Sequence, residues 1–120
     1  MIELKSNRKY DLEKRTFDFA EKVRNFIRKT PGNIRFTSDA KQLLRSSGSV
    51  AANYIEANDP LSRKDFFHRI RICRKEAKES RLWLRLIKVK IADLQKEKIE
   101  LIQEALELTK IFGSIVQKAD

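Results

Sequence analysis

The sequence predicts an all-α protein, an antiparallel up-down four-helix bundle. Four stretches carry apolar residues at helical steps of three and four, and three breaks separate them. The chain has only 3 Gly and 2 Pro but 37% charged residues, which is typical of long helices with short links. Its 120 residues suffice for one domain with its own core. We assign residues 1–10 to a flexible N-terminal leader and residues 11–120 to a single four-helix-bundle domain.

The first predicted helix covers residues 12–29, with Asp11 as its N-cap. A wide apolar stripe of helical period supports it, formed by Leu12, Phe17, Phe19, Ala20, Val23, Phe26 and Ile27. The turn-forming sequence of residues 30–33, Thr-Pro-Gly-Asn, then ends the helix.

The second predicted helix covers residues 39–57 and has three candidate caps between Thr37 and Asp39. Small residues dominate its seam, which is Ala40, Leu43, Ser47, Val50, Tyr54 and Ala57. Gly48 lies in mid-helix at a cost of about 1 kcal/mol relative to alanine, so we expect a neighbouring helix to approach closely there. A catalytic serine nearby is disfavoured because no strand precedes it and the single histidine is remote in sequence.

The third predicted helix covers residues 62–90 and is the longest. It starts either with Asp59 as N-cap and Pro60 at the first position, or with Ser62 and Asp65 in a capping-box-like pair. Its heptad seam is Phe66, Ile70, Cys73, Ala77, Ser80, Leu84, Ile87 and Ile91. We expect Cys73, the only cysteine, to be a small buried apolar residue.

The fourth predicted helix covers residues 94–117. Its core face has two apolar rows, which are Ile99-Ile102-Leu106 and Leu101-Ala105-Leu108-Phe112-Ile115. The opposite face carries an acidic row of Glu97, Glu100, Glu104 and Glu107.

A row of basic residues follows the seam of the third helix, one position on and about 100° around. This basic row is Arg71, Arg74, Lys78, Arg81, Arg85 and Lys88. Residues 63–90 hold 11 basic and 3 acidic side chains, so most of the chain's net charge of +10 lies on this helix. Such polarity favours an anionic partner, although a solvated face that keeps the protein soluble is the alternative.

An outer apolar row lies behind the basic row, about 200° from the seam. It comprises Leu82, Leu86 and Val89, with Trp83 on the other flank. One core cannot cover both sides of a helix, so we expect these four residues to form an oligomer interface. The alternative is that the first helix or the leader folds over them.

Two segments resemble a known family. Residues 45–58, RSSGSVAANYIEAN, and residues 75–87, KEAKESRLWLRLI, are similar to stretches of bacterial four-helix-bundle proteins encoded in intervening sequences of large-subunit ribosomal RNA genes. The resemblance covers about residues 12–112 and implies a ring-shaped homopentamer. This family also resembles the accessory variability protein of diversity-generating retroelements, a basic pentamer that binds nucleic acid and partners a reverse transcriptase.

Catalytic and metal sites receive little support from the residues. One His and one Cys form no metal-ligand set, no Gly-rich phosphate loop occurs, and we expect no cofactor. A remote alternative is that the protein is a ribonuclease, because Arg63 and His68 resemble the arginine and histidine pair of metal-independent ribonucleases. No segment reads as a signal peptide or membrane span, so we expect a cytoplasmic protein.

The leading hypothesis is therefore a non-enzymatic oligomeric bundle. It would bind RNA or DNA with low sequence specificity through the basic row. The runner-up is an assembly scaffold, for example a partner of a reverse transcriptase, with no direct role in nucleic-acid binding.

Overall fold

Four long helices and one short one make up the protein, as an antiparallel all-α bundle. The computed structural model describes the backbone of residues 2–119 and the side chains of residues 11–119. Residues 2–119 contain no strand. The elements are α1 (Ile2–Lys29), α2 (Gly32–Arg35), α3 (Ser38–Ala57), α4 (Arg63–Leu86), α5 (Ala92–Val116) and a terminal 3₁₀ turn (Gln117–Ala119).

The long helices are arranged so that α1 and α4 lie on one diagonal of the bundle. Each of them packs against both α3 and α5. The core between the four helices contains three fully buried phenylalanines, Phe19, Phe26 and Phe112. The predicted fold class is thereby confirmed.

Side-chain caps fix the starts of the two central helices. Thr37 is the N-cap of α3, and its hydroxyl oxygen accepts a hydrogen bond from the Ala40 N–H at 3.2 Å. Ser62 is the N-cap of α4 and accepts from the Asp65 N–H at 3.0 Å, so the second of the two predicted starts is confirmed. The Asp65 carboxylate in turn accepts from the Leu61 N–H at 3.1 Å.

Small buried residues allow α3 and α4 to pack closely. The hydroxyls of Ser46 and Ser80 lie 2.8 Å apart in a hydrogen bond between the two helices. Ser80 also donates to the Glu76 carbonyl at 2.8 Å, which leaves no hydroxyl of the pair unsatisfied. Nearby, the Cys73 thiol lies 3.5 Å from the Val50 carbonyl of α3, which accepts its weak hydrogen bond. As predicted, Cys73 is completely buried.

Gly48 makes room for an arginine of α1. The Arg24 guanidinium donates to the Leu44 carbonyl at 3.1 Å and to the Ala20 carbonyl at 3.0 Å. A Cβ added at Gly48 would stand only 2.9 Å from Nη2 of Arg24. A neighbouring helix does approach closely at this glycine, as predicted, and it does so through one long side chain.

The end of α4 differs from the prediction, because the helix stops at Leu86 instead of continuing to about residue 90. Ile87 is extended, with φ −73° and ψ 122°. In the link that follows, Ile87 and Val89 are buried, whereas Lys88 and Lys90 are exposed. This alternation has the period of an extended chain. The predicted outer-face position of Val89 is therefore wrong, and the seam residue Ile91 is exposed.

Other differences concern the outer helices. The backbone of α1 is helical from Ile2, so Asp11 lies within the helix and is not its cap; no glycine or proline interrupts residues 2–10. The predicted flexibility of residues 1–10 stays a prediction, because the side chains of these residues lie outside the described part of the chain. Phe17 and Ile99, both predicted to face the core, are exposed, since each lies at the edge of a wide stripe.

We expect the Gly48→Ala substitution to test the contact with Arg24. In an Arg24→Ala background it should raise the free energy of unfolding by about 1 kcal/mol, because only helix propensity changes. In the wild type the gain should be clearly smaller, since the methyl group displaces the guanidinium. Gly113→Ala is the control: its Cβ would meet Arg74 at an ordinary 3.7 Å. Equal gains from Gly48→Ala in both backgrounds, measured by urea denaturation, would contradict this account.

Stability should fall as the pH rises above about 9. Burial raises the pKa of Cys73 to about 12 from 9.0, so the folded state keeps the thiol proton while the unfolded state loses it. Tyr54 acts in the same direction, because burial raises its pKa to about 12 from 10.0. Urea denaturation at about pH 8 and about pH 10.5 should show this loss. The loss should be smaller in Cys73→Ala, and an identical pH dependence in that variant would rule out a contribution from Cys73.

Candidate nucleic-acid interface

The basic row lies along the side of α4 that faces α5. Arg74 runs beside Gly113 of α5, and Ile70, Cys73 and Ala77 point from the adjacent side of α4 into the core. Arg71, Arg74, Lys78 and Arg85 are exposed, and Arg81 is half-buried. Lys88 continues the row beyond the helix, in the extended link. The packing of the α4 seam thus presents the five helical cations on one side of the bundle, and Lys88 lies in the link at the end of the row.

Five cations outside the basic row have carboxylate partners within residues 11–119, namely Lys14, Arg15, Lys29, Arg45 and Arg69. Arg45 pairs with Glu76 at 3.2 Å, and Lys29 pairs with Glu97 at 2.8 Å. None of the six residues of the basic row has an ion pair with any side chain of residues 11–119. In addition, Nε of Arg81 is buried and has no hydrogen-bond partner in that same part of the chain. These positive charges are therefore left uncompensated within the protomer.

Further cations extend the basic row at both ends. At its beginning, Arg63, Lys64 and Arg71 line a pocket of about 430 Å³ with Phe67. At its end, Lys98 of α5 donates to the Ile87 carbonyl. Burial lowers the pKa of Lys98, and the positive charge of Lys88 lowers it further. Sequence reasoning missed Lys64, which the heptad spacing to Arg71 indicates, and Lys98, which no pattern indicates.

The acidic row of α5 is largely neutralised by α1. Glu104 pairs with Arg15 at 2.6 Å, and Glu107 pairs with the same guanidinium at 3.3 Å. The hydrogen bond that Arg15 donates to Glu104 raises the pKa of Arg15. With Glu97 paired to Lys29, three of the four carboxylates of the row are engaged inside the protomer. They are thus poorly suited to pair with the basic row of another copy.

The outer apolar row is only partly exposed. Leu82 and Leu86, one turn apart on α4, are 45% and 48% exposed. Trp83 is half-buried and packs against the core, but its indole N–H is buried and has no hydrogen-bond partner among the described residues. Val89 belongs to the core. The exposed part of this row is therefore Leu82 and Leu86.

Arg63 and His68 do not share a face. Five residues turn a helix through about 140°, and the Arg63 guanidinium covers the Phe67 ring at 4.8 Å while donating to the Lys118 carbonyl at 3.0 Å. His68 is exposed. The two serines that precede Gly48, Ser46 and Ser47, are buried. Their hydroxyls are hydrogen-bonded to carbonyls of their own helix.

Within the described residues, no group of three or more His, Cys, Asp or Glu side chains could hold a metal ion. No helix there is long and apolar enough to cross a bilayer.

Comparison with known proteins gives matches to one protein family and to solved structures. A sequence model described as 23S rRNA-intervening sequence protein matches residues 8–114. Among solved structures, the chain is similar to a protein with unknown function from the S23 ribosomal protein family of Bacteroides thetaiotaomicron, at 26% identity and a TM-score of 0.79. That match covers 91% of this chain and 97% of the other. No curated protein matches.

Proposed function

This chain belongs to the 23S rRNA-intervening sequence protein family, and we propose that it binds RNA or DNA through the basic row of α4. The family match confirms the resemblance indicated by the two sequence motifs. It assigns no activity, so the proposal depends on the surface of this protein. We further propose that the protein is not an enzyme.

One observation carries the proposal: five cations share one side of α4, Lys88 follows them in the link, and none of the six has a carboxylate partner within the described side chains. Bringing uncompensated cations together costs electrostatic free energy, which a bound polyanion offsets. Phosphates along a nucleic-acid backbone match such a row in charge and in linear arrangement.

Low sequence specificity follows from the chemistry of the row. Exposed lysines and arginines on the outside of a helix pair contact phosphates, and phosphate contacts carry no base information. The ligand of the row is therefore a nucleic-acid backbone and not a particular sequence.

The second candidate function is assembly. Leu82 and Leu86 form an exposed apolar pair on α4, and such a surface favours a protein contact. The resemblance described above supports self-association as a homopentamer. In the scaffold alternative this surface binds a further protein, such as a reverse transcriptase, without direct nucleic-acid contact.

We expect the triple variant Arg74→Gln, Arg81→Gln, Lys88→Gln to weaken binding to unrelated duplexes alike. Each phosphate contact contributes about 0.9 to the slope of log affinity against log salt. One protomer should therefore show a slope of about −3 to −5, and the variant should reduce it by roughly 3. Several protomers acting together would give a steeper slope. Fluorescence anisotropy at several salt concentrations measures both quantities.

A control with the same change in net charge separates position from total charge. Lys14, Lys22 and Lys29 lie on α1, and two of them are paired with carboxylates. Their triple Gln variant should bind nucleic acid nearly as the wild type does. Equal losses of nucleic-acid affinity in the two variants would mean that the basic row acts only through the overall charge of the protein. No loss of affinity in either variant would refute the proposed interface.

The double variant Leu82→Glu, Leu86→Glu should be monomeric and fully helical. Both side chains are half-exposed in the protomer, so carboxylates are tolerated there but would be buried without partners in an assembly. Leu61→Glu with Ile99→Glu, at two other exposed apolar positions, should leave the assembly unchanged. Light scattering gives the masses. A wild-type protein that is already monomeric, or an unchanged mass in the first variant, would exclude this interface.

A further inference from the structure

The bundle end that holds α2 joins two segments distant in sequence. Pro31, Asn33 and Ile34 line a pocket of about 210 Å³ together with Lys88, Lys90 and other residues of the link between α4 and α5. The last cation of the basic row thereby lies at the same end of the bundle as α2. A ligand that follows the row to Lys88 reaches this end next.

Phe36, the residue after α2, is the most exposed aromatic side chain described, at 72%. Its backbone N–H donates to the Gly32 carbonyl at 3.2 Å, and its ring lies against Gly32. The Arg35 guanidinium stands 5.1 Å from the ring centroid and donates to the Arg28 carbonyl at 3.3 Å. The ring is thus held from below and beside a cation while most of its surface faces water.

One cation lies directly beside the Phe36 ring, namely Arg35, and Lys88 and Lys90 line the pocket against the same short helix. All three cations are exposed, and none has an ion pair with a described side chain. An exposed aromatic ring among unpaired cations is the combination that binds single-stranded nucleic acids: the cations hold the backbone and the ring stacks on a base. Paired bases in a duplex are already stacked and do not offer a free face to such a ring.

On this basis we propose that Phe36 is a stacking platform for an unpaired nucleotide of the nucleic acid bound along the basic row. The inference rests on the proposed nucleic-acid function and refines its ligand to a strand with at least one unpaired base near Lys88. Phe36 supplies the aromatic ring that the basic row itself does not contain.

Affinity for two probes tests this inference. The probes are an oligothymidylate of about 15 nucleotides and a blunt duplex of about 15 base pairs. Phe36→Ala should lower affinity for the single strand about tenfold and leave duplex affinity within about twofold. Phe36→Leu should behave like the alanine variant, because it keeps apolar bulk but has no ring. Phe36→Trp should keep the affinity, and its added fluorescence should be quenched by the single strand.

Phe17→Ala is the matched control, since Phe17 is also exposed, at 59%, but lines a groove with the acidic side chains Glu13 and Asp18. It should change neither affinity. The inference is overturned if Phe36→Ala leaves single-strand binding intact, weakens both probes equally, or acts only by changing the mass in light scattering. In each of these cases the wild type still binds nucleic acid. A wild type that binds neither probe would instead remove the proposed function itself.

Discussion

The close contact between α3 and α4 is the constraint on which the rest of this structure depends. Ser46, Ser80 and Cys73 are small enough to bring the two helices together, and their polar atoms are satisfied by each other and by backbone carbonyls. With this side of α4 fixed against α3, its seam faces the core and its basic row is directed past α5 to the surface. A larger residue in this contact would rotate or displace α4, and the cations would move with it.

Charge is distributed in this bundle by packing as well as by composition. The carboxylates of α5 neutralise cations of α1, and Glu76 and Glu79 of α4 neutralise Arg45 of α3. No member of the basic row has an ion pair with a side chain of residues 11–119, so six of the chain's 27 lysines and arginines form an unpaired group on α4 and the link that follows it. The functional proposal depends on this arrangement and not on the total charge, since an evenly spread +10 would indicate only solubility.

Periodicity predicted the helices and most of the core, because every long helix here buries one continuous face. It failed where the chain is not helical: Val89 was placed by helical angles, but the backbone is already extended at Ile87. Apolar and basic residues alternate over residues 87–90, and this period of two, which is typical of a strand, correctly indicates an extended backbone with Val89 inside. The burial of residues at the edges of wide apolar stripes was also predicted wrongly. The position of Phe17 or Ile99 on its stripe does not show whether a neighbouring helix covers the side chain.

The candidate site was predictable in part. Five residues of the basic row, Arg71 to Arg85, share a face of α4 by spacing alone, so the sequence was sufficient to find them, whereas Lys88 lies in the extended link beyond the helix. Whether they lack carboxylate partners depends on which helices become neighbours, and that needs the fold. The same holds for Phe36, which is more than fifty positions from Lys88 in the chain but lies at the same end of the bundle.

The extended link between α4 and α5 also limits how this chain can vary in length. Loops between helices generally accept insertions, because their side chains face solvent. In this link Ile87 and Val89 are part of the core, so one residue added or deleted between them would put a lysine in place of an inward-facing side chain. Length changes in steps of two would preserve the alternation. The tightest length requirement in this protein therefore falls on a connection and not on a helix.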